Sequence, residues 1–184
     1  MQLAALTVCL SLSQALGMAF PMQAAVLREI NAIWQPYGVT TTTSDIGTAA
    51  CNRRIAIKSD TEVLPEDHST GAALAWVPFV GTYPRQLIFL RLDRVRTLVG
   101  SLSPGDWATG IREQLAAKLA GRVLAHELGH ILLNSRGHEP SGLMRERYQA
   151  RDVLNAGRSA YSLSPPLRAQ LFSGARPDPT AGAR

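Results

Sequence analysis

Residues 111–132 read IREQLAAKLAGRVLAHELGHIL and carry the strongest helix signal in the chain. Apolar residues recur there every four positions, the spacing of one helix face: Ile111, Leu115, Leu119 and Val123. Further apolar residues widen that face toward the end of the stretch: Leu124, Leu128, Ile131 and Leu132. A helix that is apolar around most of its circumference is buried, so we expect it at the centre of the fold. Asp106 is its predicted N-cap.

Two histidines, His126 and His130, lie one turn apart within this predicted helix. Positions i and i+4 project from the same face with about 5–6 Å between Cβ atoms, so both imidazoles can bind one Zn²⁺ at about 2.0–2.1 Å. Glu127 points away from the pair and suits the metal-bound water, from which a carboxylate can take a proton. As ordinary core residues, the two histidines would instead need polar partners for all their ring nitrogens inside an apolar face. The pattern therefore predicts a zinc site with Glu127 as the catalytic base.

A catalytic zinc site needs a third protein ligand and keeps a fourth position open. His138 is the predicted third ligand, because Asn134 and Gly137 can adopt left-handed conformations that let the chain turn back under the helix end. Three carboxylates are alternatives that would make the site His₂Glu or His₂Asp: Glu139, Glu146 and Asp152.

The motif His126-Glu127-Leu128-Gly129-His130, followed by a turn and a third histidine, resembles the metzincin clan of zinc metallopeptidases. The pattern of that clan is H-E-x-x-H-x-x-G-x-x-H with a later turn that contains methionine, the Met-turn. The segment Ser141-Gly142-Leu143-Met144 resembles this Met-turn. The resemblance implies zinc ligation by the three histidines, Glu127 as general base and Met144 as the hydrophobic floor of the site.

Two positions differ from the clan pattern within the 126–144 segment that carries the resemblance. Leu133 stands where the clan has glycine, and Arg136 stands where the clan has its third histidine. His138 follows two residues later, so the turn between the second and third histidines is longer than in the clan.

The whole chain has 184 residues, a length that suits one domain. Pro21 and Pro165 each suit the first turn of a helix, and Ser164 can cap the second of these helices. The other predicted elements are strands at 39–43, 55–57, 73–80 and 86–92, a short helix from 93 to 99 and a polar helix near 145–157. We expect an α+β fold: a minimal zincin-like domain in which a small mixed sheet packs on the active-site helix, with C-terminal helices. The predicted boundaries are 1–20 for a first strand or a signal peptide, 21–173 for the zincin-like domain, and 174–184 for a disordered tail.

The first twenty residues fit two interpretations. Alternate residues from Leu6 to Leu12 are apolar, as in a half-buried strand. The stretch is also apolar enough for a signal peptide with a cleavage site at Gly17-Met18-Ala19, although no Lys or Arg precedes Arg28. With a signal peptide the protein would be secreted, and with a first strand it would be cytoplasmic. The apolar run is short, which argues against stable membrane insertion.

Charge and cysteine content limit the function further. The net charge of +5 comes from scattered arginines without a basic stripe, which argues against nucleic-acid binding. Cys9 and Cys51 can either form one disulfide bridge or remain two buried thiols.

The resemblance to the metzincin clan implies hydrolysis of peptide bonds, by an endopeptidase rather than an exopeptidase. One alternative is a zincin-like zinc-binding domain without proteolytic activity that serves as a binding module, although such a site would have no use for Glu127. A zinc deaminase or amidase is a weaker alternative, because the chain has no H-x-E…C-x-x-C arrangement.

A peptide or protein substrate is expected to lie extended along a sheet edge, where its main chain can form hydrogen bonds. Residues 73–80 and 86–92 are the candidate edges, and Pro78 favours the first of them. Candidates for stabilising the oxyanion beside the zinc are Arg145, Tyr148 and Tyr161.

Overall fold

The computed structural model describes residues 6–43, 51–62, 73–102, 105, 107–147 and 157–173. The strands in these ranges are β1 (Leu6–Leu12), β2 (Val39–Thr43), β3 (Arg53–Ser59), β4 (Ala75–Trp76), β5 (Phe79–Val80), β6 (Tyr83–Pro84) and β7 (Leu87–Leu90). The α-helices are α1 (Phe20–Trp34), α2 (Leu92–Leu102), α3 (Thr109–Leu132) and α4 (Pro165–Ser173).

Five of the strands form one mixed sheet in the order β2-β1-β3-β7-β4. The pairs β1–β2, β1–β3 and β3–β7 are parallel, and β4 is antiparallel to β7. The strands β5 and β6 form a separate hairpin. With the four α-helices of the described ranges, this is the α+β fold with a small mixed sheet that the sequence predicts.

Strand β1 lies inside the sheet, between β2 and β3. Three consecutive residues of it are buried: Val8, Cys9 and Leu10. This differs from the one-sided alternation that the sequence indicates, because Cys9, on the face opposite Val8 and Leu10, is also buried and is bonded to Cys51.

The two segments predicted as sheet edges, 73–80 and 86–92, differ in their position in the sheet. Strand β4, from the 73–80 segment, lies at the end of the sheet order, whereas β7, from 86–92, lies between β3 and β4. The proposal of 86–92 as an edge is therefore wrong. The 73–80 segment is also not one continuous strand, since its second half forms β5 of the hairpin. Pro78 ends the main-sheet part of the segment, as expected for a residue that lacks a backbone donor.

Helix α3 is buried along its second half and packs against α1. The two helices approach closely at Gly121, where a Cβ atom would lie 2.9 Å from the carbonyl oxygen of Val26. Nε1 of Trp34 donates a hydrogen bond to the carbonyl oxygen of Ala125 over 3.1 Å. The N-cap of α3 is Ala108, which makes no side-chain cap, and the predicted cap Asp106 lies outside the described residues.

The remaining helix predictions are met in part. Pro21 lies in the first turn of α1, and the backbone N–H of Leu167 in α4 lies 3.5 Å from Oγ of the capping Ser164. The polar helix predicted near 145–157 is absent over 145–147, and residues 148–156 lie outside the described ranges, as does the 174–184 tail. Among the described residues, no helix combines the length and the apolar composition that a membrane span requires.

A disulfide bridge joins Cys9 to Cys51, so the two cysteines are not free thiols. Cys9 lies in β1, and Cys51 precedes β3 in the sequence. The bridge therefore fastens the entry of β3 to its neighbour in the sheet and closes a chain segment of 42 residues.

Candidate metal centre

The structure brings the three predicted histidines together. His126 and His130 lie in the last two turns of α3, where they are 9% and 6% exposed. The chain then reverses through Asn134, whose φ of 48° lies in the left-handed region. His138 follows and is exposed, and one ligand atom from each ring lies within 4.8 Å of the others.

The rings of His126 and His130 are each held by a backbone carbonyl. Nδ1 of His126 lies 2.7 Å from the oxygen of Leu143, and Nδ1 of His130 lies 2.8 Å from the oxygen of Ser135. Because a carbonyl only accepts, each Nδ1 carries the proton and each Nε2 keeps its lone pair. The two Nε2 atoms face each other at 3.2 Å. Two lone pairs at this distance repel, and a cation that accepts both removes the repulsion, so the residues present fit a metal ion.

Burial also keeps these rings neutral. It lowers the pKa of His126 to about 4, assisted by the nearby His130, while the bond to Leu143 opposes the shift. Burial lowers the pKa of His130 as well. Neutral imidazole is the form that binds a metal, so the site does not have to lose protons before binding at neutral pH.

Glu127 follows the first histidine and is 8% exposed. Burial raises the pKa of its carboxyl to about 8. A metal cation nearby would favour the ionised form and lower this pKa again. Beside a bound cation, the carboxyl group of Glu127 can therefore exchange a proton near neutral pH.

The described residues give no support to a carboxylate as third ligand. Oε1 of Glu139 accepts a hydrogen bond from Oγ of Ser164 over 2.6 Å, and Glu146 is not part of the cluster. The third carboxylate candidate, Asp152, lies outside the described residues.

Arg136, which stands at the clan position of the third histidine, contacts the β5–β6 hairpin. Its Nη2 donates to the carbonyl oxygen of Gly81 over 2.8 Å, and its guanidinium lies 4.4 Å from the ring centre of Phe79. This contact joins the histidine-bearing loop to the hairpin. His138, two residues further on, is the residue that reaches the cluster.

The segment Ser141–Met144 forms a tight turn beneath α3. Gly142 has a φ of +80°, and a side chain there would collide with the carbonyl oxygen of Ser162. Met144 is buried with its sulfur against Gly129, the helix residue before His130. The sequence motif drew attention to the methionine, but not to the glycine that makes room for it.

Of the oxyanion candidates, Tyr161 is buried, and its hydroxyl accepts a hydrogen bond from Nη1 of Arg122 over 3.3 Å. This setting is one of packing against α3 and not of exposure to a substrate. Arg145 follows the turn, and its backbone forms an isolated β-bridge with the backbone of Glu139. Tyr148 lies outside the described residues.

No protein-family model matches the chain, and no curated protein sequence matches it either. Among solved structures, the archaemetzincin of Methanopyrus kandleri matches with a TM-score of 0.53 and 13% identity. The match covers 92% of this chain and 94% of that chain. The chain has a fold similar to that of archaemetzincin. At this identity the likeness concerns the fold alone.

Proposed function

We propose that the protein is a zinc-dependent metallopeptidase, with zinc held by His126, His130 and His138 and with Glu127 as general base. The observation that carries the proposal is the pair of Nε2 atoms that face each other at 3.2 Å, each on a ring held by a backbone carbonyl. This is a ready-made pair of nitrogen ligands, and the third ring completes the set that a catalytic zinc requires.

Zinc at this position would polarise a peptide carbonyl and lower the pKa of a water to about 7. Glu127 would be the group that accepts a proton from the attacking water and delivers it to the leaving nitrogen. The Nδ1 bonds of His126 and His130 keep both rings in one orientation throughout the reaction. The side chain of Met144 packs against Gly129 of α3, so it supports the helix turn that carries the histidines.

A peptide or protein substrate lies extended along β4 in this proposal. Strand β4 pairs with β7 and is the last of the described strands in the sheet order, and a substrate chain can bind at the end of a sheet through main-chain hydrogen bonds. The hairpin that follows presents Val80 and Tyr83, each 69% exposed, and Arg136 joins it to the histidine-bearing loop. An edge strand binds a passing chain along its length, which supports an endopeptidase.

The alternative is a zincin-like domain that binds zinc without proteolysis. Glu127 counts against it, because burying a carboxyl group costs free energy that a purely structural site has no reason to spend. A structural site would also be closed by a fourth protein ligand, whereas the cluster found among the described residues has three.

Cleavage of a quenched peptide library by zinc-loaded protein tests the proposal. Wild type should cleave, and Glu127→Gln should keep its zinc while losing about 10²–10⁴-fold in rate. Glu113→Gln is the matched control, since it makes the same change on the same helix at a site whose side chain is 43% exposed, and it should cleave like wild type. Full activity in Glu127→Gln would refute the role of this residue. Zinc-loaded wild type that cleaves no peptide would favour the binding domain.

A further inference from the structure

A buried ion pair lies one helical turn before His126. Nε of Arg122 in α3 lies 2.9 Å from Oε1 of Glu29 in α1, and the two side chains are 2% and 6% exposed. Removing both charges from water costs about as much as their attraction returns, so stability alone is a weak reason for such a pair. The segment that the ion pair contacts indicates another role for the pair.

The pair holds a segment that we call the strap, residues 158–164. Nη2 of Arg158 lies 3.2 Å from the second carboxylate oxygen of Glu29. Nη1 of Arg122 donates to the hydroxyl of Tyr161 over 3.3 Å, and its guanidinium lies 4.6 Å from the centre of the same ring. Both members of the pair therefore contact the first half of the strap.

The second half of the strap contacts the two segments that carry metal-site groups. The carbonyl oxygen of Ser162 accepts from the backbone N–H of Leu143 over 2.9 Å. The carbonyl oxygen of that same Leu143 lies 2.7 Å from Nδ1 of His126. Oγ of Ser164 donates over 2.6 Å to the carboxylate of Glu139, the residue after His138.

We infer that Glu29 and Arg122 are positioning residues for the metal site, acting through the strap on His126 and His138. This inference rests on the proposed metal site but not on the peptidase activity. With the pair intact, Ser162 fixes the turn at Leu143, and the turn fixes the ring of His126. Without it, Tyr161 loses its partner on α3, the strap shifts, and the ring orientation relaxes with it.

Cobalt(II) binding tests the inference without any measurement of activity. The variants are Glu29→Gln, which removes the charge, and Tyr161→Phe, which removes one hydroxyl and keeps the ring. Glu113→Gln is the control, because Glu113 also forms an ion pair between α3 and a neighbouring helix, with Arg96, but with side chains 43% and 40% exposed. The dissociation constant is measured by competition with a chelator and the coordination by the visible absorption spectrum of the bound cobalt.

Glu29→Gln and Tyr161→Phe should both bind cobalt about tenfold more weakly than wild type and with an altered spectrum, as expected when outer partners of a ligand are lost. The control should match wild type in both measurements. If these two variants melt at a lower temperature but keep the wild-type affinity and spectrum, the inference is overturned and the pair is a structural feature. Should Glu29→Gln fail to fold, Tyr161→Phe decides by the same two measurements. Wild type that binds no cobalt would instead overturn the metal site itself.

Discussion

The carbonyl oxygen of Leu143 lies 2.7 Å from Nδ1 of His126, so the first histidine is oriented by the backbone of the turn beneath it. This oxygen cannot be removed by substitution, and its position depends on the path of the turn. Gly142 permits that path, with a φ of +80° and the carbonyl of Ser162 where a side chain would be. The geometry of the candidate metal site therefore depends on chain segments well outside the helix that carries the motif.

Loss of the third ring should release the metal. His138→Ala is expected to weaken zinc binding by at least about 100-fold, the upper end of what outer partners of a ligand contribute. Glu146→Gln, which removes one of the carboxylate alternatives, should bind zinc like wild type because it lies outside the cluster. Competition with a chelator measures both. The opposite pattern, a loss with Glu146→Gln and none with His138→Ala, would make the site His₂Glu.

A side chain at Gly129 would force the buried Met144 to move, because the end of the methionine side chain packs against this glycine. Gly129→Ala should lower the free energy of unfolding by about 1–3 kcal/mol, the usual cost of overpacking, although alanine is the better helix former. Gly110→Ala is the control within the same helix, since nothing lies within 4 Å of a Cβ there. Urea unfolding should show no loss of stability for the control. Equal effects of the two substitutions would contradict the packing of Met144 on the helix.

The Cys9–Cys51 bridge should contribute strongly to stability, since it closes a segment of 42 residues in the unfolded chain. The chain-entropy estimate for this length is about 4 kcal/mol. Reducing agent should therefore lower the unfolding midpoint of wild type in urea. The double variant Cys9→Ala, Cys51→Ala should not respond to reducing agent. A wild type equally indifferent to reduction would show that the two cysteines are not bridged.

In the metal-free protein, stability should fall as pH rises from 6.5 to 8. Burial raises the pKa of Glu127 to about 8, against 4.5 for an ordinary glutamate. Between these values the folded state holds a proton that the unfolded chain has released, so raising the pH favours unfolding by about 1.4 kcal/mol per pH unit. The pKa values of His126 and His130 are lowered from 6.5, so these two rings are neutral in both states above that pH.

Urea unfolding in the presence of a chelator checks this pH dependence. Glu127→Gln cannot release a proton, so its stability should be flat over the same pH range apart from changes shared with wild type. Parallel curves for the two proteins would mean that Glu127 is not held in a buried protonated state.

The spacing of residues along the sequence predicted features that lie within one helix or one strand. The recurrence of apolar residues every four positions located α3, and the spacing of His126 and His130 placed two rings on one face. Val39–Thr43 forms a strand with the predicted bounds, because β-branched residues favour extended chain. Each of these features depends on neighbours within a few residues, which is the range over which sequence patterns act.

Several contacts between distant segments were not predicted. The place of β7 between β3 and β4, which makes β7 internal and β4 the last described strand of the order, depends on packing across the whole sheet. The carbonyl groups of Ser135 and Leu143 hold the rings through backbone atoms, which every residue type carries, so no side-chain pattern marks them. The ion pair of Glu29 with Arg122 joins residues on different helices and leaves no periodic signal.

The central claim is a zinc ion held by three histidines, and a crystal of the zinc-loaded protein measured on both sides of the zinc absorption edge tests it most directly. The account predicts one anomalous peak within about 2.0–2.1 Å of Nε2 of His126, Nε2 of His130 and one ring nitrogen of His138. Absence of that peak in protein that contains stoichiometric zinc, or a peak that excludes His138, would contradict it.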